Sequence, residues 1–191
     1  MEVVKQSKPA LNKAVLAIKK GKVIICPTDT VYGFIADAAN KKAVEKIFKL
    51  KKRSRQKPLP VFVKDIKMTR DLAVIDKNQK RILKRYWPGK YTFVLKRKHG
   101  TKLYGVVKDT IALRIPNYKF LNDLLKKINK PLTQTSVNIS GQPSLIKIAD
   151  IISQFGRTGL PMLIIDAGNL PKRKPSVIID LTKDKNKILR K

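Results

Sequence analysis

Residues 23–33 read VIICPTDTVYG. The first four are an unbroken apolar run, the pattern of a strand buried on both faces. The run ends at Pro27 and passes into a turn-rich segment. There two hydroxyls (Thr28, Thr30), a carboxylate (Asp29) and a phenol (Tyr32) precede Gly33. A polar loop directly behind a buried strand is where open α/β sheets place their ligands. The same residues equally serve as a strand-terminating turn, with Asp29 folding back on its own backbone.

Working outward, residues 9–20 place Ala10, Leu11, Ala14, Val15 and Ile18 at helical spacing, with Gly21 at the stop position. On the other side, Asn40 is an N-cap for a helix whose apolar stripe is Ala43, Val44, Ile47, Phe48 and Leu50. It runs into a cationic stretch at 51–57 and stops before Pro58. Further strands are expected over 59–63, 91–95, 111–115, 131–135, 162–165 and 177–180. Helices are expected over 65–73 and 76–86, from an Asn117 cap through 128, and over 146–155. Residues 96–108 read as a basic loop or hairpin, and 181–191 as a basic tail. Strands and helices alternate, but the short strand-to-strand connections near the middle call for both strand directions. The expectation is an α/β chain: one domain over 1–191, with a single twisted mixed parallel/antiparallel sheet flanked by helices.

Composition narrows the class. A chain of 191 residues that is 42% hydrophobic can build a real core, since chains of this size bury roughly 70% of their unfolded surface. No apolar run approaches the ~20 residues of a membrane span, and residues 1–8 are too polar for a signal peptide. A single cysteine, Cys26, excludes an internal disulfide framework and fits a reducing compartment. The reading is a soluble, cytoplasmic protein. Forty-four Lys and Arg stand against 13 Asp and Glu, a formal charge of +31. Such an excess attracts polyanions such as RNA. Lysine bias at solvated positions produces the same excess, and the scattered pairs 19–20, 41–42 and 126–127 fit that alternative.

Two further clusters carry chemistry. In KKRSRQKPL at 51–59, an extended backbone puts Lys51 and Arg53 on one side, where a fork and a point charge suit a triphosphate. A solvated basic loop is the plainer reading. In TQTSVNISG at 133–141, Ser136 and Asn138 share a side, either facing a ligand or capping the turn before Ile139, with Ser144 just beyond. Absences count too. There is no G-x-x-x-x-G-K-[ST] loop and no G-x-G-x-x-G turn. The one histidine, His99, lies in a basic loop, which speaks against a His-based triad. One Cys and one His cannot form an ordinary structural zinc site, and no metal site is expected.

Taken in order, PTDTVYG (27–33), K-x-R at Lys51/Arg53 followed by PLPVFV, WPGKYTFVL (87–95), ALRIP (112–116), TSVNISGQPS (135–144), IIDAG (164–168) and PSVIID (175–180) closely resemble the YrdC family of threonylcarbamoyl-AMP synthases. The resemblance spans nearly the whole chain. It implies a twisted α/β domain around a large, positively lined concave cavity. The implied reaction joins L-threonine, bicarbonate and ATP into threonylcarbamoyl-AMP plus pyrophosphate. That is the first step towards threonylcarbamoyladenosine in ANN-decoding tRNAs, with transfer machinery acting downstream.

By motif position, Thr30 resembles a threonine contact, Arg114 its carboxylate clamp and Asp166 a further threonine-side residue. Arg53 and Lys57 resemble ATP contacts, with Lys51 on the same cationic wall, and Lys51 and Arg53 are the residues expected to assist catalysis. Thr110, Ser136, Asn138, Ser144 and Ser176 resemble nucleotide-side contacts. ATP is thus expected as substrate, with Mg2+ arriving on its phosphates. Phe62 departs from the family pattern, standing where many relatives carry histidine, and Ser54, Lys57 and Val177 also depart from it. The competing class is a non-catalytic module that binds double-stranded RNA or tRNA.

Overall fold

Period-two alternation along the central strands sorts their side chains into two separate cores. A computed structural model describes residues 1–156, 162–183 and 185–191. The first half contains β1 (Glu2–Lys5), α1 (Lys8–Lys19), β2 (Ile24–Cys26), β3 (Gly33–Asp37), α2 (Lys41–Lys51), β4 (Val61–Phe62), α3 (Ile66–Leu72) and α4 (Lys77–Tyr86). The second half contains β5 (Tyr91–Lys96), β6 (Thr110–Arg114), α5 (Lys119–Ile128), β7 (Leu132–Ser136), α6 (Ile148–Phe155), β8 (Leu163–Asp166), β9 (Val177–Asp180) and β10 (Lys187–Arg190). Among the described residues, the ten strands form one mixed sheet, in the order β1-β8-β2-β3-β7-β4-β6-β5-β9-β10.

Ile24 and Cys26 of β2, Ile35 of β3 and Leu163 and Ile165 of β8 pack with α1 and α5. Their alternates Ile25, Phe34, Ala36 and Ile164 pack with α2 and α6 on the other face. A third cluster joins β4, β5 and β6 to α3 and α4. Each fully buried aliphatic side chain in these layers contributes about 1.5–3 kcal/mol.

Three strands escape the sequence reading. β3 begins inside the quoted loop, at Gly33, and pairs antiparallel with β2 and β7. β1 and β10 are exposed edge strands of four residues each, EVVK and KILR, too short to show a period. The tail after residue 181 is therefore partly strand, antiparallel to β9. The strand expected over 59–63 contracts to Val61–Phe62, since the nearby prolines have no N–H to offer a ladder. Asn117 does not cap α5. Tyr118 occupies that position without a side-chain bond, while the Asn117 N–H donates to Asp29 Oδ2 at 3.2 Å.

The sheet cannot lie flat. β8 is second in the strand order and β9 ninth, yet only residues 167–176 join them. Seven flat steps at roughly 4.8 Å span about 34 Å, the whole extended reach of about ten residues. That reach is not free, because Ala167, Gly168 and Leu170 are pinned by Tyr32, Asp166 and Ile146. A twist of roughly 20–25° per step accumulates to about 150° across those seven steps. The end of β8 and the start of β9 are thereby brought to the same side. The sheet is curled, and residues 167–176 bridge its concave mouth.

Candidate active site

Thr28 shapes the loop that opens the site. Its hydroxyl donates to the Val31 carbonyl at 2.8 Å and accepts from the Thr30 and Val31 amides. Its one proton is thus committed, so in the 3.0 Å contact between the two hydroxyls Thr30 is the donor. The Thr30 oxygen keeps its lone pairs, ready to accept from an ammonium or hydroxyl.

Beside it, Asp29 does not fold back on its own loop. Its Oδ1 pairs with Arg114 Nη2, and its Oδ2 takes the Asn117 amide. Arg114, at the end of β6, is only 1% exposed. It gives Nε to the Gly89 carbonyl at 2.9 Å and lies 5.6 Å above the Phe62 ring. Phe62, fully buried in the core that α1 and α5 cover, is thus the apolar floor under this arginine rather than a polar contact. Burial lowers the Arg114 pKa, and Asp29 opposes that shift.

Two more arginines converge from other elements. Arg53 gives Nε to the Lys57 carbonyl and Nη2 to the Pro58 carbonyl. Arg190 of β10 gives Nε and Nη2 to the Ser176 carbonyl at 3.0 and 2.8 Å, and Nη2 also to Ser176 Oγ. Burial lowers the Arg190 pKa, and the charges of Arg114 and Arg53 lower it further, so the three guanidiniums sense one another. They line a cavity of about 130 Å³ with Thr30, Ser136 and Ser176, and the lining contains no carboxylate. Larger surface hollows flank α1, α5 and the β9–β10 edge but gather no such set. The enclosed volume is smaller than the large cavity implied by the resemblance. Ligand cavities are typically ~300–1,000 Å³, so the enclosed part is too small to hold a whole nucleotide.

The Sua5/YciO/YrdC family model, described as "Telomere recombination", matches residues 16–191. The chain belongs to this family. A threonylcarbamoyl-AMP synthase from Vibrio vulnificus is 29% identical over 174 residues, covering 89% of this chain and 92% of that protein. The Pyrococcus abyssi synthase is 33% identical over 167 residues, 86% of this chain but 48% of that protein, so the chain spans about half of it. The solved structure of P. abyssi Sua5 complexed with L-threonine superposes with a TM-score of 0.87 at 29% identity, covering 99% of this chain and 56% of the other. Escherichia coli YciO gives 0.87 at 25% identity, covering 100% and 94%.

Within this family fold, Thr30, Arg53, Arg114, Ser136 and Ser176 share one cavity. Lys51 does not stand on its wall. The premise of an extended backbone fails there: Lys51 ends α2, and Lys52 follows in the left-handed region at φ 47. Lys51 is 1% exposed, and its Nζ donates to Ser136 O, Asn138 O and Asn138 Oδ1 at 2.6, 3.1 and 2.7 Å. Asn138 Oδ1 in turn accepts from Ser136 Oγ. Lys51 and Asn138 therefore hold the loop that presents Ser136. Lys57 is exposed and contributes only its carbonyl, to Arg53. Thr110 pairs with Lys96 at the far end of β6, and Asp166 turns its carboxylate to the Gly168 amide. Neither of them, nor Ser144, lines the cavity. Arg190 and Gln134 line it without having been anticipated. Nothing local marks Arg190 among the cations of the tail, and only the pairing of β10 brings it in.

Burial and the Arg53 charge push the Lys51 pKa down to about 7, against the pull of its three acceptors. Above that pH the neutral amine leaves one acceptor without a donor. Turnover is expected to fall about tenfold per pH unit above 7 if only the ammonium form holds the loop. Stability moves the other way. Between about 7 and the ordinary lysine value of 10.5 the unfolded chain keeps a proton that the folded one has lost, so unfolding free energy rises with pH. Denaturant titrations across pH 7–10 should show a steeper rise for the unmodified protein than for Lys51→Met.

Proposed function

We propose that this chain is a threonylcarbamoyl-AMP synthase, condensing L-threonine, bicarbonate and ATP to threonylcarbamoyl-AMP and pyrophosphate for threonylcarbamoyladenosine formation in tRNA. The observation that carries this reading is the convergence of Arg53, Arg114 and Arg190 on a cavity whose lining holds no carboxylate and no nucleophilic base pair. The reaction needs neither. Threonine's amine adds to CO2, and an oxygen of the resulting carbamate attacks the α-phosphorus of ATP. The new O–P bond forms as the bond to the β-phosphate oxygen breaks and pyrophosphate leaves.

The obstacle is anion meeting anion, and fixed guanidiniums remove it by orientation and preorganised charge. Thr30 supplies the acceptor for the amine, Arg114 a donor for the threonine carboxylate, and Arg53 and Arg190 the phosphate side. With no carboxylate in the lining, Mg2+ accompanying the nucleotide has phosphate oxygens as its protein-independent ligands.

Purified protein given ATP and bicarbonate is expected to release pyrophosphate only when threonine is present. With labelled bicarbonate, the label should appear in a threonylcarbamoyl-AMP mass. Pyrophosphate release indifferent to threonine would reject the reading, and equal turnover with serine would reassign the acceptor. The net charge of +31 favours a second role in holding structured RNA. Salt-sensitive RNA binding unaffected by Arg53→Ala, without any turnover, would make that role the principal one. Among the described residues, no helix is long and apolar enough to cross a membrane.

A further inference from the structure

The bridge across the mouth, residues 167–176, is unevenly secured. Its first part is fixed: Ala167 N donates to the Tyr32 hydroxyl, that hydroxyl donates to the Gly168 carbonyl, and Leu170 N bonds Ile146 O. Its end is fixed as well, with Ser176 held by Thr92 and Arg190. Between them lies PKRKP at 171–175, exposed throughout and bounded by two prolines that stiffen its ends. One side chain ties this span down: Arg173 Nη1 reaches the Asp29 main-chain oxygen at 3.2 Å. Asp29 immediately precedes Thr30 and carries the carboxylate that holds Arg114.

We propose that residues 171–175 form a cationic lid over the cavity, and that Arg173 is a second cation for the carboxylate of the amino-acid substrate. The proposal rests on the synthase reading above for the identity of that substrate. Arg114 has already committed Nε to Gly89 and one Nη2 hydrogen to Asp29, so its Nε/Nη2 fork is taken and three N–H groups remain for a ligand, two on Nη1 and one on Nη2. A carboxylate offers two oxygens with about four acceptor sites, and three N–H groups, of which the second Nη2 hydrogen points along the Asp29 side, do not fill them. Arg173 spends one of its N–H groups on a neutral carbonyl. Exchanging that contact for a carboxylate gives it a charge-assisted, bidentate partner. The Arg173–Asp29 contact places this part of the lid beside Thr30 and Arg114, and Pro175 lines the cavity itself.

Two measurements test this. First, Arg173→Gln is expected to raise the KM for threonine about tenfold, in line with a lost charge-assisted hydrogen bond, with the KM for ATP changed less than twofold. Arg173→Lys should recover part of the difference. An equal rise in both KM values, or no change in either, overturns the assignment. Second, Lys174→Cys puts a thiol on the lid of a protein whose one native cysteine is fully buried. Threonine alone should slow labelling of that thiol at least fivefold. Labelling unchanged at threonine concentrations that saturate turnover means that the lid does not close. Protection by threonine without pyrophosphate release would sink the synthase reading and leave the lid standing.

Discussion

Asp29→Ala is expected to lower the unfolding free energy by about 3–5 kcal/mol, the range for removing one partner of a buried ion pair. The side chains of Arg114 and Asp29 are 2% and 7% exposed, so the guanidinium left behind is poorly solvated without the carboxylate. The Asn117 amide loses its acceptor in the same substitution. Most of the loss is desolvation of an unpaired charge rather than the intrinsic strength of the pair. Asp29→Ala combined with Arg114→Met should therefore be more stable than Asp29→Ala alone, with methionine packing on Phe62. Urea denaturation of the unmodified protein and the two variants measures this. A double variant that is the least stable would show that the pair itself, and not the orphaned charge, dominates. Neither variant should retain threonine-dependent turnover.

Arg53→Ala and Arg190→Ala should each reduce kcat/KM by about 10²–10³, the typical effect of removing a preorganised donor from a developing anionic charge. Both side chains reach the cavity from its rim and bond mainly backbone carbonyls, so folding should change little beside the loss of activity. Because they face the same phosphate charge, the double variant should fall short of the product of the single effects. Pyrophosphate release at varied ATP measures all three. Activity within threefold of the unmodified protein in either single variant would remove that arginine from the mechanism. For Arg190, retained activity would also show that β10 closes the site passively.

The contrast between Arg53 and Lys51 shows how far sequence spacing reached. Both were expected on one wall because side chains alternate along an extended backbone. The helix that Asn40 starts does not end until Lys51, and one left-handed residue then turns the chain. Arg53 enters the cavity and Lys51 goes into the protein beneath Ser136. Caps and apolar stripes, being local, were readable: Asn40 accepts from the Ala43 amide as its position suggested. Edge strands β1 and β10 were not, since four exposed residues with adjacent apolar pairs leave no periodic trace.

By itself, then, the chain's order of residues determined the layers, the alternation of elements, the main strands and the polar loops behind them, because apolar periodicity and capping act over a few neighbours. Only the tertiary structure decided that Asp29 grips Arg114, that Arg190 joins the site, and that residues 167–176 arch over it. Those outcomes depend on strand pairing and accumulated twist between segments far apart in the chain, and no local pattern encodes the closing of a curled sheet.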